Sequence, residues 1–392
     1  MLTLSEKHAM IQKIAEKLAK EKVAPRARDI DATGAFPWDI VDLLKKHGFL
    51  YMMLPEEYGG LDGDITSLCL VIEELAKASG SCSLIPLAHT VGVMPIMIGA
   101  NEEQKKYLYG KIADPENPNL VAFCLTEPEA GSDASQMRTL VTKEGDHYYM
   151  NGKKSMITNG ANSQFFTVFA TSNPKLRTHG ISCFVVEKDY PGVIIGKSEE
   201  KLGMIGSDLT EIIFDNVRLT QDNLLGKEGK GWDLAMATLN LSRPAVGAQA
   251  VGIAQGALDF SVEYAWKRVQ FGQKLADHEG VQFMIADMAT HVEASRALVY
   301  DAAMLLDMKV YERDKMSAIG VDKLSAMAKL FSADTAMKVT TDAVQILGGV
   351  GYTREYPVER MMRDAKATQI YEGTNQVQRI IVARDIFRKF MT

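Results

Sequence analysis

Asp114-Pro115-Glu116-Asn117-Pro118 marks the point at which a 392-residue chain changes pattern. Before it, apolar residues recur at helical spacing. Ile11, Ile14, Ala15, Leu18 and Ala19 predict a helix ended by Pro25. Ile40, Val41, Leu43 and Leu44 give a short apolar face over residues 39–46. Residues 65–78 form a strongly apolar helix, 90–99 another, and 102–109 a surface helix. Pro55-Glu56-Glu57-Tyr58-Gly59-Gly60 reads as a loop. After the break, the runs shorten and fill with β-formers, at 120–125, 165–170, 181–187, 193–196 and 211–219. Residues 147–150 and 153–158 flank Asn151-Gly152, a dipeptide suited to a tight hairpin turn. About seven strands result, enough for a small barrel or sandwich.

From residue 229 the helical pattern returns, over 245–267, 283–310 and 321–347, and it stops at Gly348-Gly349. Helices this long need partners along their whole length, so a bundle follows. The expected fold is α+β, mostly α. It comprises an N-terminal helical domain (1–118), a central β-barrel or sandwich domain (119–228) and a C-terminal helical bundle (229–392).

Composition excludes several function classes. A net charge of -6, with no Lys/Arg-rich block, argues against nucleic acid as a partner. Cys69, Cys82, Cys124 and Cys183 are scattered without a CxxC pair, and read as buried free thiols rather than a zinc site or disulfide framework. The histidines are equally dispersed, so no metal site is expected. No apolar run looks long enough to span a bilayer. Met1-Leu2-Thr3-Leu4-Ser5-Glu6-Lys7 lacks a signal-peptide core and a transit-peptide bias. The cytoplasm is the expected compartment, with a mature mitochondrial matrix protein as the alternative.

Four stretches carry candidate chemistry. In Ile370-Tyr371-Glu372-Gly373-Thr374-Asn375-Gln376, a lone carboxylate precedes a glycine, a hydroxyl and two amides. Glu372 suits a general base, and Gly373 removes a side chain where a bulky substrate could approach the backbone. Thr374, Asn375 and Gln376 suit a polar cofactor. On spacing alone the plainer reading is a helix N-terminus capped by Thr374 or Asn375. Thr126-Glu127-Pro128-Glu129-Ala130-Gly131-Ser132-Asp133 allows close approach of a phosphate or flat ring, or is a turn. Arg268-Val269-Gln270-Phe271-Gly272 offers a cation and an aromatic ring to an adenine or pyrophosphate, or is a helix C-terminus. Gln345-Ile346-Leu347-Gly348-Gly349-Val350-Gly351-Tyr352 lacks the GxGxxG spacing of a Rossmann turn. It leaves bare backbone for a nucleotide, or is a helix stop.

In this order, and on this helix–strand–helix plan, the four stretches resemble the flavin-dependent acyl-CoA dehydrogenases over nearly the whole chain. The resemblance implies a C-terminal four-helix bundle, a homotetramer, and FAD held between the β-domain and the bundle and reaching into a neighbouring subunit. It places Phe123, Leu125, Thr126 and Ser132 along the flavin and the pantetheine end of the substrate, and Met156, Ile157 and Thr158 on the flavin face. Many members have tryptophan where this chain has Met156. Arg268, Phe271, Gln345, Gly348 and Gly349 would hold the adenine side of FAD from the adjoining subunit, with Thr374 and Gln376 also touching it. Glu279, where members often carry glutamine, is not assigned to FAD. Arg243, in Ser242-Arg243-Pro244, would meet CoA near its nucleotide, and Tyr371 and Gly373 the substrate.

Glu372 matches the family's base. By the resemblance it takes the α-proton of an acyl-CoA thioester while the β-hydride goes to flavin N5. The thioester carbonyl is gripped by the base's own N–H and by a ribityl hydroxyl of FAD. Some relatives carry the base just before the Arg243 equivalent; Ser242 stands there, leaving Glu372 as the candidate. Electrons would leave through an electron-transfer flavoprotein. The acyl pocket falls on residues 82–93, apolar with His89 or Thr90 as a polar spot and without an arginine for a glutaryl carboxylate. Saturated short or medium chains fit best. The alternatives are a cyclic or aryl acyl group, an enoyl-CoA reductase working in reverse, an oxidase, and a non-catalytic flavin-binding scaffold.

Overall fold

The computed structural model describes residues 4–114, 116–117, 119–311 and 321–390. Met1-Leu2-Thr3 and the two prolines of the pattern break, Pro115 and Pro118, lie outside the described residues. Helix α1 (Glu6–Leu18) starts at Ser5, whose hydroxyl accepts from the His8 N–H. Pro25 does not end the helical run. It opens a 3-10 turn at Ala24–Arg26, where its missing N–H costs nothing, and the chain continues into α2 (Ala27–Thr33). Then come α3 (Trp38–Lys46), α4 (Ile65–Ala78) capped by Asp64, α5 (Gly80–Gly99), and α6 (Glu102–Ile112) with an Asn101–Gln104 capping box.

Helix α5 corrects two expectations. It begins ten residues before the predicted start and carries Pro86 and Pro95 inside it. With 20 residues and a mean hydropathy of 1.6, it is long and apolar enough to cross a bilayer, contrary to the sequence reading. Its most apolar window is 78% buried inside the protein, however, so it serves as a core helix. The four cysteines are free and buried.

The strands are β1 (Leu120–Cys124), β2 (Leu140–Glu144), β3 (His147–Thr158), β4 (Ser163–Thr171), β5 (Ile181–Glu187), β6 (Val193–Ser198), β7 (Leu209–Thr220) and β8 (Leu224–Leu225). They lie in the order β6-β7-β3-β2-β4-β5-β8, with β1 added parallel to β4. Asn151-Gly152 is not a hairpin turn. It sits inside the continuous strand β3 at a register shift against β7, and Asn151 Oδ1 accepts from the Asn216 N–H at 2.8 Å. A type I′ turn needs positive φ at both central residues, and here only Gly152 has it, at +150°. The glycine is required because a Cβ there would lie 2.6 Å from the Thr139 backbone. The true hairpin is β2–β3, turning at Gly145-Asp146. Strand β4 is buried on both faces. Phe165 and Phe169 face the helical core, while Phe166 and Val168 face the interior of the β-domain.

Helix α7 (Gly231–Lys267) begins earlier than its apolar pattern, and Pro244 lies within it. A short ribbon of β9 (Val269–Gln270) and β10 (Gln273–Lys274) leads to α8 (Glu279–Tyr311). Then follow α9 (Val321–Leu347), α10 (Val358–Thr368) and α11 (Asn375–Phe387). Helix α7 packs on α8 and α9, and α11 packs on α9. Asp322 accepts from Asn240 and Ala328 lies against Gly247, so contacts advance together along both helices and α9 runs beside α7 in the same direction. Gly252 and Gly256 let α7 cross α4 closely, because a Cβ at either would lie 2.3 Å from the Glu73 or Lys77 carbonyl oxygen.

Candidate active site

The turn between α10 and α11 presents two successive left-handed residues, Glu372 (φ +52°) and Gly373 (φ +87°). A glutamate at positive φ is uncommon and needs support from its surroundings. Three side chains supply it. Lys329, fully buried on α9, donates from Nζ to the Gly373 carbonyl and to Asn375 Oδ1, both at 2.9 Å. Gln378 Nε2 donates to the Gly373 carbonyl at 2.9 Å and to the Glu372 carbonyl at 3.3 Å. Asn375 in turn donates to Asp334 at 2.7 Å, which also receives Gln369 and Arg379.

The Glu372 carboxylate points at α7, where Ser242 Oγ donates to Oε2 at 3.0 Å. Burial raises its pKa, while Ser242, the Arg243 guanidinium and the Lys329 ammonium act in the opposite direction. Burial also lowers Lys329, to about 7, against the pull of Glu372. The arrangement is therefore a desolvated carboxylate beside two buried cations, which suits a proton acceptor poised above the usual carboxylate range.

Arg243 was expected beside a nucleotide, but it is 4% exposed. Nη1 bonds Asn240, and Nε has no partner among the described residues. The Tyr371 hydroxyl bonds Gln249, which donates to Ser83 Oγ (2.9 Å) and the Gly80 carbonyl (3.2 Å), so the turn is tied to the start of α5. Thr374 caps α11 through the Val377 N–H, and Gln376 is exposed on its first turn. The helix-start reading of this stretch is therefore observed, and it leaves the Glu372 carboxylate free to face α7.

On α5, Thr90 is satisfied within its own helix, whereas His89 keeps one polar atom to spare: its buried Nε2 has no partner among the described residues. His89 Nδ1 accepts from the Val121 N–H at 3.1 Å, and burial holds its pKa down at about 3. Thr90 donates to the Pro86 carbonyl at 2.9 Å.

In the β-domain, a register shift between Lys154 and Ile157 lifts Met156 out of pairing with β7. Met156 stands at φ +57° and is 55% exposed, an apolar, polarisable ledge suited to the face of a flat ring. Thr158 is half-buried beside it, whereas Ile157 points into the β-domain core and offers only backbone. The Thr126 carbonyl accepts from the Ser155 N–H, which joins the 126–133 loop to this bulge. Behind them lies a buried pair: Lys154 donates to Glu127 at 2.7 Å and to the Leu125 carbonyl, and Glu127 accepts from the Arg138 and Thr139 N–H groups. Leu125 is buried, Phe123 is half-buried against Phe169, and Ser132 is exposed.

The remaining residues form a separate group. Arg268 and Phe271 follow the end of α7, about 40 Å along the helix from Ser242 at 1.5 Å per residue. Phe271 is 96% exposed at φ +52°. Gln345, Gly348 and Gly349 are exposed at the same end of the bundle. Glu279 is exposed at the start of α8, where its charge suits the helix dipole.

Periodicity missed Lys329, Gln249 and the Glu127–Lys154 pair, and Asn375, read as a cofactor contact or cap, instead accepts from Lys329 and donates to Asp334. A lysine among Ala326, Ala328 and Ala333 was the one available signal, since a buried-face cation needs a partner.

Three family models match the chain: the acyl-CoA dehydrogenase N-terminal domain over residues 5–116, the middle domain over 122–217 and the C-terminal domain over 229–387. Cyclohex-1-ene-1-carbonyl-CoA dehydrogenase of Geobacter metallireducens is 44% identical over 98% of this chain and 99% of its own. Butyryl-CoA dehydrogenase of Megasphaera elsdenii superposes with a TM-score of 0.93 at 39% identity, over 99% of this chain and 100% of that one. A chain from structural work on the electron transferring flavoprotein of Acidaminococcus fermentans and flavin-based electron bifurcation gives 0.93 at 43% identity, over 99% and 100%.

Proposed function

The chain belongs to the acyl-CoA dehydrogenase family of flavin-dependent oxidoreductases, and from that premise we propose that it oxidises an acyl-CoA thioester to the 2-enoyl-CoA with Glu372 as the base. The observation that carries this is the desolvated Glu372 carboxylate against Ser242, held in a left-handed turn beside Gly373. Bound FAD supplies the acceptor for the β-hydride. Met156, Thr158, Thr126 and Ser132 would meet its flavin half, and Thr374 and Gln376 would approach it from the bundle.

Glu372 takes the α-proton, and its raised pKa brings its basicity nearer to that demand. The Glu372 backbone N–H has no acceptor among the described residues, which leaves it for the thioester oxygen as negative charge develops there. Gly373 keeps the approach to that N–H open. The apolar wall of α5, with Leu84 and Leu87, would cover the acyl chain and exclude water. Phe271 and Arg268 stand too far along α7 to serve the same chain's Glu372, and their exposure supports a homotetramer in which they meet a neighbour's FAD.

An electron-transfer flavoprotein is the proposed electron acceptor, supported by the likeness to the Acidaminococcus fermentans chain. Short straight acyl groups and cyclic ones are both supported, by the butyryl-CoA and cyclohex-1-ene-1-carbonyl-CoA relatives. Anaerobic addition of a panel of straight, cyclic and aryl acyl-CoAs to the yellow protein tests the reading. Bleaching by one member establishes both the reaction and the substrate. A protein that keeps FAD, but bleaches with none and instead reoxidises with enoyl-CoAs after chemical reduction, would favour the reverse direction.

A further inference from the structure

Helix α9 carries a fully buried lysine that the proton transfer itself does not use. Lys329 Nζ spans the carbonyl of Gly373 and the side chain of Asn375, 44 and 46 positions away. Those two acceptors bracket the turn that holds Glu372. The turn runs through two left-handed residues, a conformation that a glutamate does not hold by itself. The only other side-chain donor to the Gly373 carbonyl among the described residues is Gln378, whose Oε1 has no partner. A buried ammonium would be expensive to desolvate without a matching set of acceptors. Here the acceptors are one backbone oxygen and one amide, not a carboxylate, so the cation's charge is left to act through space on Glu372.

We propose that Lys329 is a positioning residue: by gripping Gly373 and Asn375 it holds the left-handed Glu372–Gly373 turn, and its positive charge keeps the Glu372 carboxylate ionised against Ser242. The proposal rests on the reading of Glu372 as the base. The charged and titratable groups around the pair are Arg243 on α7, Asp334 on α9 and Tyr371 on the turn itself. Arg243 acts on Glu372 in the same sense as Lys329, and Asp334 is shared among Asn375, Gln369 and Arg379. Lys329 is distinguished from Arg243 by its direct bonds to the turn, so its loss should disturb both geometry and charge.

The test compares Lys329→Met and Lys329→Arg as holoenzymes. Amide hydrogen–deuterium exchange over residues 369–378 reads the clamp without reference to turnover. In Lys329→Met, exchange there speeds up on the order of 10-fold, about 1.4 kcal/mol of lost protection, while α7 and the β-domain are unchanged. The value of kcat falls on the order of 10²-fold, as expected for a base displaced by about an ångström, with little change in KM. The acid limb of the pH profile moves up, because the cation that favours the ionised carboxylate is gone. Lys329→Arg recovers the pH profile at least in part. Should Lys329→Met fail to fold, Lys329→Gln takes its place with the same readouts. Unchanged exchange and an unmoved acid limb would overturn the clamp. Full turnover in Glu372→Gln would instead overturn the base reading, whatever Lys329→Met shows by exchange.

Discussion

Ser242 Oγ lies 3.0 Å from Glu372 Oε2, joining residues 130 positions apart on α7 and on the turn before α11. With Glu372 as the proposed base, the contact is expected to tune the pH dependence of turnover. Burial raises the Glu372 pKa, and the Ser242 hydroxyl is the largest of the influences opposing that rise. Only the ionised carboxylate can accept a proton, so kcat/KM falls as pH drops through the raised pKa. Ser242→Ala removes a bond to a charged group worth about 1.5–3 kcal/mol, and the acid limb should move up by about one to two pH units. A profile identical to that of the parent enzyme would show that the contact does not tune the base.

Glu372→Gln keeps the shape of the side chain and can still bond Ser242, but it cannot accept the proton. Turnover should drop on the order of 10²- to 10⁴-fold. The flavin-to-protein ratio and the melting temperature should stay close to those of the parent. Absorbance at the flavin band, together with turnover on the substrate found in the acyl-CoA panel, measures both. Near-parental turnover would remove Glu372 from the role.

Gly373→Ala attacks the same turn from its backbone. The residue sits at φ +87°, and an added Cβ would lie 2.6 Å from Gln378 Nε2. A left-handed alanine costs about 1–2 kcal/mol. Displacing Gln378 also releases its bonds to the carbonyls of Glu372 and Gly373. The variant should lose both thermal stability and kcat. Loss of stability alone, with kcat intact at low temperature, would mean that Gln378 does not hold the base in place.

Much of this architecture was legible because it follows from periodicity. The helical pattern over 321–347 and the strand over 181–187 coincide with α9 and β5, since their apolar spacing and end signals agree. Asn151-Gly152 misled because local turn chemistry cannot reveal that β2 and β7 pair on either side of β3 and turn a glycine into a bulge. Strand β2 was missed because four of its five residues are exposed, so it lacks an apolar run. The start of α7 was hidden by Pro244 and by mixed residues that tertiary packing buries. Glu372 stood out as a carboxylate before a glycine. Lys329 did not, because its meaning depends on a carbonyl 44 residues away.

The α4–α7 crossing gives a prediction about stability alone. Gly252→Ala would place a Cβ 2.3 Å from the Glu73 carbonyl oxygen and 2.7 Å from Ala76 Cβ. Both neighbours belong to a buried helix, so the helices must separate. Alanine's better helix propensity, about 1 kcal/mol over glycine, is outweighed by overpacking of about 1–3 kcal/mol and by the wider gap it opens along the contact. The melting temperature of the variant should fall. A rise would mean that α7 can slide on α4 without cost.

Phe271 provides the sharpest test of whether a second copy completes the cofactor site. Its ring is 96% exposed and touches its own chain chiefly at His278, edge-on at 6.3 Å. Truncating so exposed a side chain should change the folding stability of the flavin-free protein by less than about 0.5 kcal/mol. A side chain idle in one chain but packed on a neighbour's FAD would behave otherwise in the assembled holoenzyme. Phe271→Ala should then release FAD more readily on dilution, and should narrow the gap in melting temperature between the loaded and flavin-free forms. Light scattering at the same concentrations shows whether assembly itself survives. Unchanged FAD retention in an intact oligomer would remove Phe271 from the site and leave its positive φ and exposure without a cofactor-based reason.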